Sequence, residues 1–123
     1  MIKILTIDDE TEFTDLIQNY FGTRGYQVLV ANRGELGLQI AKKEKPQVYL
    51  IDLKMPGIHG DEVLREVMKL DPSAKVIMIT ASEGEGKTRA NLMEMGAYAC
   101  FDKPLTSLRD LEQKIREASV MAG

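Results

Sequence analysis

Five short runs rich in Val, Ile, Leu and Tyr, separated by stretches with helical spacing, constrain this chain more than any other feature. They fall at residues 2–7, 27–31, 47–51, 75–80 and 98–102. Strands wetted on one face alternate apolar and polar residues, whereas strands covered on both faces read as near-continuous apolar runs. The pattern therefore predicts five strands of a parallel sheet clad by helices. Between the runs, Phe13, Leu16, Ile17, Tyr20 and Phe21 recur at i, i+3, i+4, i+7 and i+8, an amphipathic helical stripe. Val63, Leu64, Val67 and Met68 form a second stripe, and Leu105, Leu108, Leu111 and Ile115 a third. Residues 34–44 and 87–95 are predicted helical mainly from their place between strands. Gly25 and Gly96 stand where helices should stop, because glycine enters the left-handed conformation cheaply. The sum is an α/β chain, (βα)5, with right-handed crossovers.

Composition closes off several classes. A chain of 123 residues, 44% hydrophobic and 28% charged, suits one globular domain covering residues 1–123. No apolar stretch approaches the length needed to cross a bilayer. Residues 1–7 lack the basic head and long apolar core of a secretion signal, so a cytoplasmic location is expected. The single cysteine, Cys100, cannot form an internal disulfide. A net charge of -3 offers no general attraction for nucleic acid, and no membrane partner is expected.

Chemistry gathers just past the apolar runs. Asp8 and Asp9 follow the first, Asp52 the third, Thr80 closes the fourth, and Lys103 follows the fifth. Ligands of open parallel sheets bind beyond the carboxyl ends of the strands, so these distant residues should converge there. Adjacent carboxylates repel each other unless a cation intervenes. Magnesium suits all-oxygen donors and is held by one or two carboxylates plus waters. The simpler alternative is that Asp8, Asp9 and Glu10 only begin the next helix, where acids complement its positive end. Asp52, at a different strand end, favours a site. A carboxylate can attack phosphorus and become an aspartyl phosphate. Phosphoryl transfer asks mainly for positioning and charge neutralisation, which Mg2+ and the Lys103 ammonium would supply, with the Thr80 hydroxyl as a further donor.

Asp8-Asp9, Asp52-Leu53-Lys54-Met55-Pro56-Gly57, Thr80-Ala81 and Lys103-Pro104 together resemble the receiver domain of bacterial response regulators, over nearly the whole chain. The resemblance implies a flavodoxin-like sheet of order 2-1-3-4-5. It implies that Asp52 accepts a phosphoryl group from a phosphohistidine on a sensor histidine kinase or a histidine phosphotransfer protein. Asp9, Asp52 and the backbone carbonyl of Lys54 match the family's direct Mg2+ ligands, and Asp8 the one acting through water. Lys103 matches the phosphate-pairing lysine, whose bond to the following proline is commonly cis in that family. Thr80 would move toward the phosphoryl group and draw the loose segment 82–88 and the next helix with it. That would bias the face of the fourth helix, fifth strand and fifth helix, for a partner or a homodimer.

One position departs from the pattern. The family's usual Tyr or Phe three residues before the lysine is here Cys100. Strand alternation places Tyr98 on the same face, one pair further from the site. Phe101 is expected in the core. Cys100→Ala is accordingly expected to leave phosphorylation intact, with coupling through Thr80, and acetyl phosphate labelling checks it. Lys54 and Ser82 hold the variable positions beside the phosphoryl group, and neither suits the orientation of an attacking water. A long-lived aspartyl phosphate is expected.

Two other functions fit less well. A phosphatase of the haloacid-dehalogenase type carries a general-acid aspartate two residues after its nucleophile, where this chain has Lys54. A flavin-binding electron carrier would place phosphate in the loop where Asp8-Asp9-Glu10 would repel it. His59 stands alone, without a partner for a transition-metal site, and is expected to face solvent. The methionines are read mostly as core fillers. Arg109, Asp110, Glu112, Lys114, Arg116 and Glu117 are read as a solvated face.

Overall fold

The computed structural model describes residues 1–81 and 86–122, with side chains for 1–81 and 89–120. Its elements alternate throughout: β1 (Lys3–Ile7), α1 (Thr11–Gly22), β2 (Gln27–Ala31), α2 (Gly34–Glu44), β3 (Val48–Asp52), α3 (Gly60–Leu70), β4 (Lys75–Thr80), α4 (Gly86–Glu94), β5 (Ala99–Asp102) and α5 (Leu108–Ala122). The strands form one parallel sheet of order β2-β1-β3-β4-β5, as the resemblance implied.

Alternation along each central strand sends residues to two cores. Tyr49 and Ile51 of β3 join Val76 and Met78 of β4 against Val63, Leu64 and Val67 of α3 and Leu92 of α4. Val48, Leu50, Ile77 and Ile79 face the other way, against Ile17 and Phe21 of α1 and Leu111, Ile115 and Ala118 of α5. This segregation is a consequence of connection order. The β1-to-β2 step runs in one direction and all later steps in the other, so crossovers of one hand put α1 on one face and α2, α3 and α4 on the opposite face. Gly25 and Gly96 have φ of +92° and +111°, the left-handed helix stops expected of them.

Four expectations need correction. Leu16 is exposed although it lies on the predicted stripe of α1, whose buried side chains are Thr14, Ile17 and Phe21. The third stripe begins too early. Leu105 precedes α5, whose first turn is closed by Ser107, with Asp110 N donating to its Oγ at 3.1 Å. Tyr98 lies in the bend before β5 and packs with the α1/α5 core, whereas Cys100 packs with the other. Period-two alternation holds only inside a strand, so the two do not share a face. Glu112, read as part of a solvated face, is buried and accepts from Tyr20, Arg24, Tyr26 and Arg116. The expected rearranging segment 82–88 and the variable position Ser82 lie outside the described residues, save the backbone of 86–88 in the first turn of α4.

Candidate functional site

Asp8 sits one residue past β1, where its own N–H still bonds Ala31 O at 3.0 Å as if the ladder continued. Its Oδ1 accepts the N–H of Glu10 at 2.9 Å, a local turn that stops the strand and starts the helix. Helix α1 begins only at Thr11, and Glu10 is its N-cap without a side-chain cap bond. Glu10 therefore caps α1 by position only, with no bond from its side chain. The acids line the rim above the sheet.

Asp52 is the last residue of β3, paired in register with Ile79, so Thr80 lies one step further along the adjoining strand. Asp52 is 6% exposed. Lys103 follows β5, and its N–H bonds Thr80 O at 3.0 Å, which ties the tips of the last two strands together. The Lys103–Pro104 bond is cis. The ammonium, with its side chain 9% exposed, turns back over the sheet edge: Nζ lies 2.7 Å from Asp8 Oδ2 and 3.6 Å from Asp52 Oδ2, and it pairs with Glu10 Oε1. Nζ also stands 4.7 Å from the centroid of the Phe13 ring.

Electrostatics follow from this crowding. Burial, then Asp8, pushes the Asp52 carboxyl up from 3.8 to about 6, against the pull of Lys103; Asp9 and Glu10 push in the same direction as Asp8. Burial raises Asp8 as well, with Lys103 and the Glu10 N–H opposing. Burial works against the charge of Lys103, but its bonds to Asp8 and Glu10 outweigh it and its pKa rises. Among the described residues, three carboxylates surround one ammonium.

Donor chemistry fits a hard divalent cation. Oxygens of Asp8, Glu10 and Asp52 lie within 4.8 Å of one another. Among the described residues, Asp8 Oδ2 is buried and, beyond its ion pair with Lys103, accepts no aligned hydrogen bond. A buried carboxylate oxygen left in that state is poised for a cation. Asp9 is exposed and stands outside the trio, although its charge still reaches Asp52. Lys54 is exposed in the β3–α3 connection. Cys100 is half-buried, with Sγ 4.0 Å from Met93 Sδ, and Arg89 of α4 donates to its carbonyl at 2.8 Å. His59 faces solvent at the start of α3, as expected.

Two contributors escaped the sequence reading. Glu10 was noted as a helix-starting acid and as part of an acidic loop, not as a partner of Lys103. Gly60 was not singled out. Its N–H bonds Leu53 O at 2.8 Å, and a Cβ there would collide with the carbonyl oxygen of Asp52 and lie 2.8 Å from Leu53 Cα. Glycine at that position lets α3 approach the end of β3. Gly60→Ala should therefore displace the backbone of Asp52, lower stability by about 1–3 kcal/mol and slow phosphorylation roughly tenfold or more. Urea unfolding and acetyl phosphate kinetics measure the two effects; normal kinetics in a well-folded variant would show that the close approach is not needed.

Residues 4–116 match the family described as response regulator receiver domain. The chain is similar to sporulation initiation phosphotransferase F of Bacillus subtilis, 36% identical over 114 residues covering 91% of each. Response regulator GacA of Pseudomonas aeruginosa is 37% identical over 125 positions, 100% of this chain and 56% of that protein. The chain spans about half the length of several such relatives. Among solved structures, a CheY-like receiver domain protein of Methanospirillum hungatei superposes with a TM-score of 0.91 at 31% identity, covering 99% of this chain and 96% of that one. TrrA of Thermotoga maritima, solved with Mg(2+)-BeF, gives 0.85 at 27% identity, covering 96% of this chain and 99% of that one.

Proposed function

The chain belongs to the response regulator receiver domain family, and from that premise we propose that Asp52 is its phosphoacceptor, charged by a phosphohistidine of a sensor histidine kinase or histidine phosphotransfer protein in the cytoplasm. The observation that carries this reading is the meeting of Asp52 with Asp8 and Lys103, from three strand ends, in one buried acidic cleft.

A carboxylate oxygen of Asp52 attacks phosphorus as the P–N bond to the donor imidazole breaks. The released ring keeps the electron pair and takes a proton. Burial that lifts the Asp52 pKa to about 6 leaves the group ionised at neutral pH yet more basic than a free aspartate. Lys103 neutralises one side of the transferred group, and the Thr80 hydroxyl lies at the neighbouring strand tip to receive an oxygen. Asp8, Asp9, Asp52 and the Lys54 carbonyl are the residues assigned to Mg2+, which when bound offsets the negative charge gathered on the phosphoryl oxygens. Glu10 joins Asp8 and Asp52 in the trio of carboxylates that could hold a cation.

A phosphoryl group on Asp52 adds charge beside Thr80 and Lys103. Lys103 N is bonded to Thr80 O, and Arg89 clips α4 to β5 through Cys100 O and, at 3.3 Å, Asp102 Oδ1. Movement at the strand tips therefore reaches the face of α4, β5 and α5, which we assign as the surface for a partner or a second copy. Coupling runs through Thr80 and this clip, since Cys100 and Tyr98 belong to different cores.

Incubation with acetyl phosphate and Mg2+, followed by mass spectrometry, tests the assignment. One phosphoryl mass on the wild type and none on Asp52→Asn is the expected result. Mass on another residue, or none on either protein, rejects it.

A further inference from the structure

Beyond its place in the trio of carboxylates, Glu10 makes the most outward contact of Lys103. Its carboxylate pairs with Lys103 Nζ across 93 residues of sequence, although its side chain is 63% exposed and the lysine's only 9%. The contact is not a chance meeting of two surface chains. Asp8 Oδ1 holds the Glu10 N–H, and the Glu10 carbonyl accepts from Phe13 and Thr14 as α1 begins, so the backbone beneath the carboxylate is fixed. On the far side the ammonium meets the Phe13 ring. Lys103 is thus held between Asp8 and Glu10 and stands 3.6 Å from Asp52, beyond hydrogen-bond length.

We propose that Glu10 is a positioning residue that holds the Lys103 ammonium toward the cleft mouth and away from Asp52, and so restrains phosphorylation by small anionic acyl phosphates. The proposal rests on Asp52 being the phosphoacceptor. An ammonium has three donor positions, and a phosphoryl oxygen can be served only when one turns inward from the rim. A half-solvated ion pair is weak, so Glu10 restrains the lysine without locking it. A protein donor that covers the mouth can displace the exposed carboxylate by its own contacts, while a small acyl phosphate cannot.

Two variants separate reach from charge. Glu10→Gln removes the charge. Glu10→Asp keeps the charge but is shorter by one methylene and cannot span to Nζ from the same backbone. Both are expected to take phosphate from acetyl phosphate about threefold to fivefold faster than wild type at equal Mg2+, the range a weak ion pair allows. In cation-free crystals of either variant, Lys103 Nζ is expected within hydrogen-bond distance of the Asp52 carboxylate. Acceleration in Glu10→Gln alone, with Glu10→Asp unchanged, would mean simple repulsion of the donor and overturns the proposal. Slower labelling with Mg2+ affinity weakened tenfold or more would make Glu10 a cation ligand instead, and also overturns it. A wild type that labels on Asp52 while neither variant accelerates rejects Glu10 alone. A wild type that never labels rejects the phosphoacceptor as well.

Discussion

Asp52→Asn is expected to make the cation-free protein more stable at pH 7.5 by about 2–3 kcal/mol, while abolishing its phosphorylation. The folded chain holds the Asp52 proton more tightly than the unfolded chain, with a pKa raised from 3.8 to about 6. Below 3.8 the group is protonated in both states and costs nothing. As pH rises toward 6 the unfolded state ionises first, so stability falls across that window, and above it the full penalty remains. A shift of about two units corresponds to roughly 3 kcal/mol, with the opposing pull of Lys103 already included in it. Urea unfolding at pH 7.5 and pH 3.5 checks the sign: the variant should gain at the first and match wild type at the second. Saturating Mg2+ should then reverse the order, because only wild type keeps the full set of carboxylates and gains the linked binding energy. Equal stability of the two proteins at pH 7.5 without cation would mean that Lys103 already compensates the buried charge. The site would then be a settled ion pair and not one poised for a ligand.

Fold and site were legible to different depths, for physical reasons. The five apolar runs were readable because a parallel sheet buries both faces of its central strands, leaving whole blocks such as Val48-Tyr49-Leu50-Ile51 without polar residues. Asp52 and Lys103 were readable because a strand end is the one place where a charge can follow such a block. The same logic fails for Glu10. Nothing in its spacing says whether it caps a helix or reaches a lysine 93 positions away. Gly60 escaped for a related reason, since its meaning lies in the carbonyl of Asp52 above it. Tyr98 was misplaced by extending strand alternation one residue past the strand, into a bend. Local pattern reports which face a residue occupies inside an element, and it weakens where a neighbour distant in sequence decides.

Glu112→Ala should destabilise the protein by about 2–3 kcal/mol, because it orphans buried donors instead of stripping a surface charge. Its Oε1 accepts from Tyr20 Oη at 3.0 Å and Arg24 Nε at 2.9 Å, and its Oε2 from Tyr26 Oη and Arg116 Nη2, both at 2.9 Å. Burial alone would raise the carboxyl pKa, but the bonds from Tyr26, Tyr20 and Arg116 outweigh it and hold the group below 4.5. The stability it brings is thus present above that pH and lost as acid protonates it. The two arginines are about half exposed and contribute little as ion pairs. The tyrosines decide the effect. Tyr26 is 8% exposed, so its hydroxyl has almost no access to water once the carboxylate is gone. Removing that hydroxyl first should remove much of the penalty: Glu112→Ala should cost clearly less in a Tyr26→Phe background than in wild type. Urea unfolding of the four proteins measures the coupling, and a loss below about 0.5 kcal/mol in the single variant would return Glu112 to the solvated face first assigned to it. Position explains why the network belongs with the site. Helix α1 carries Glu10 and Phe13 at its start, α5 follows the lysine, and Glu112 with its tyrosines pins the two helices together. A clamp of that kind keeps both walls of the cleft in register.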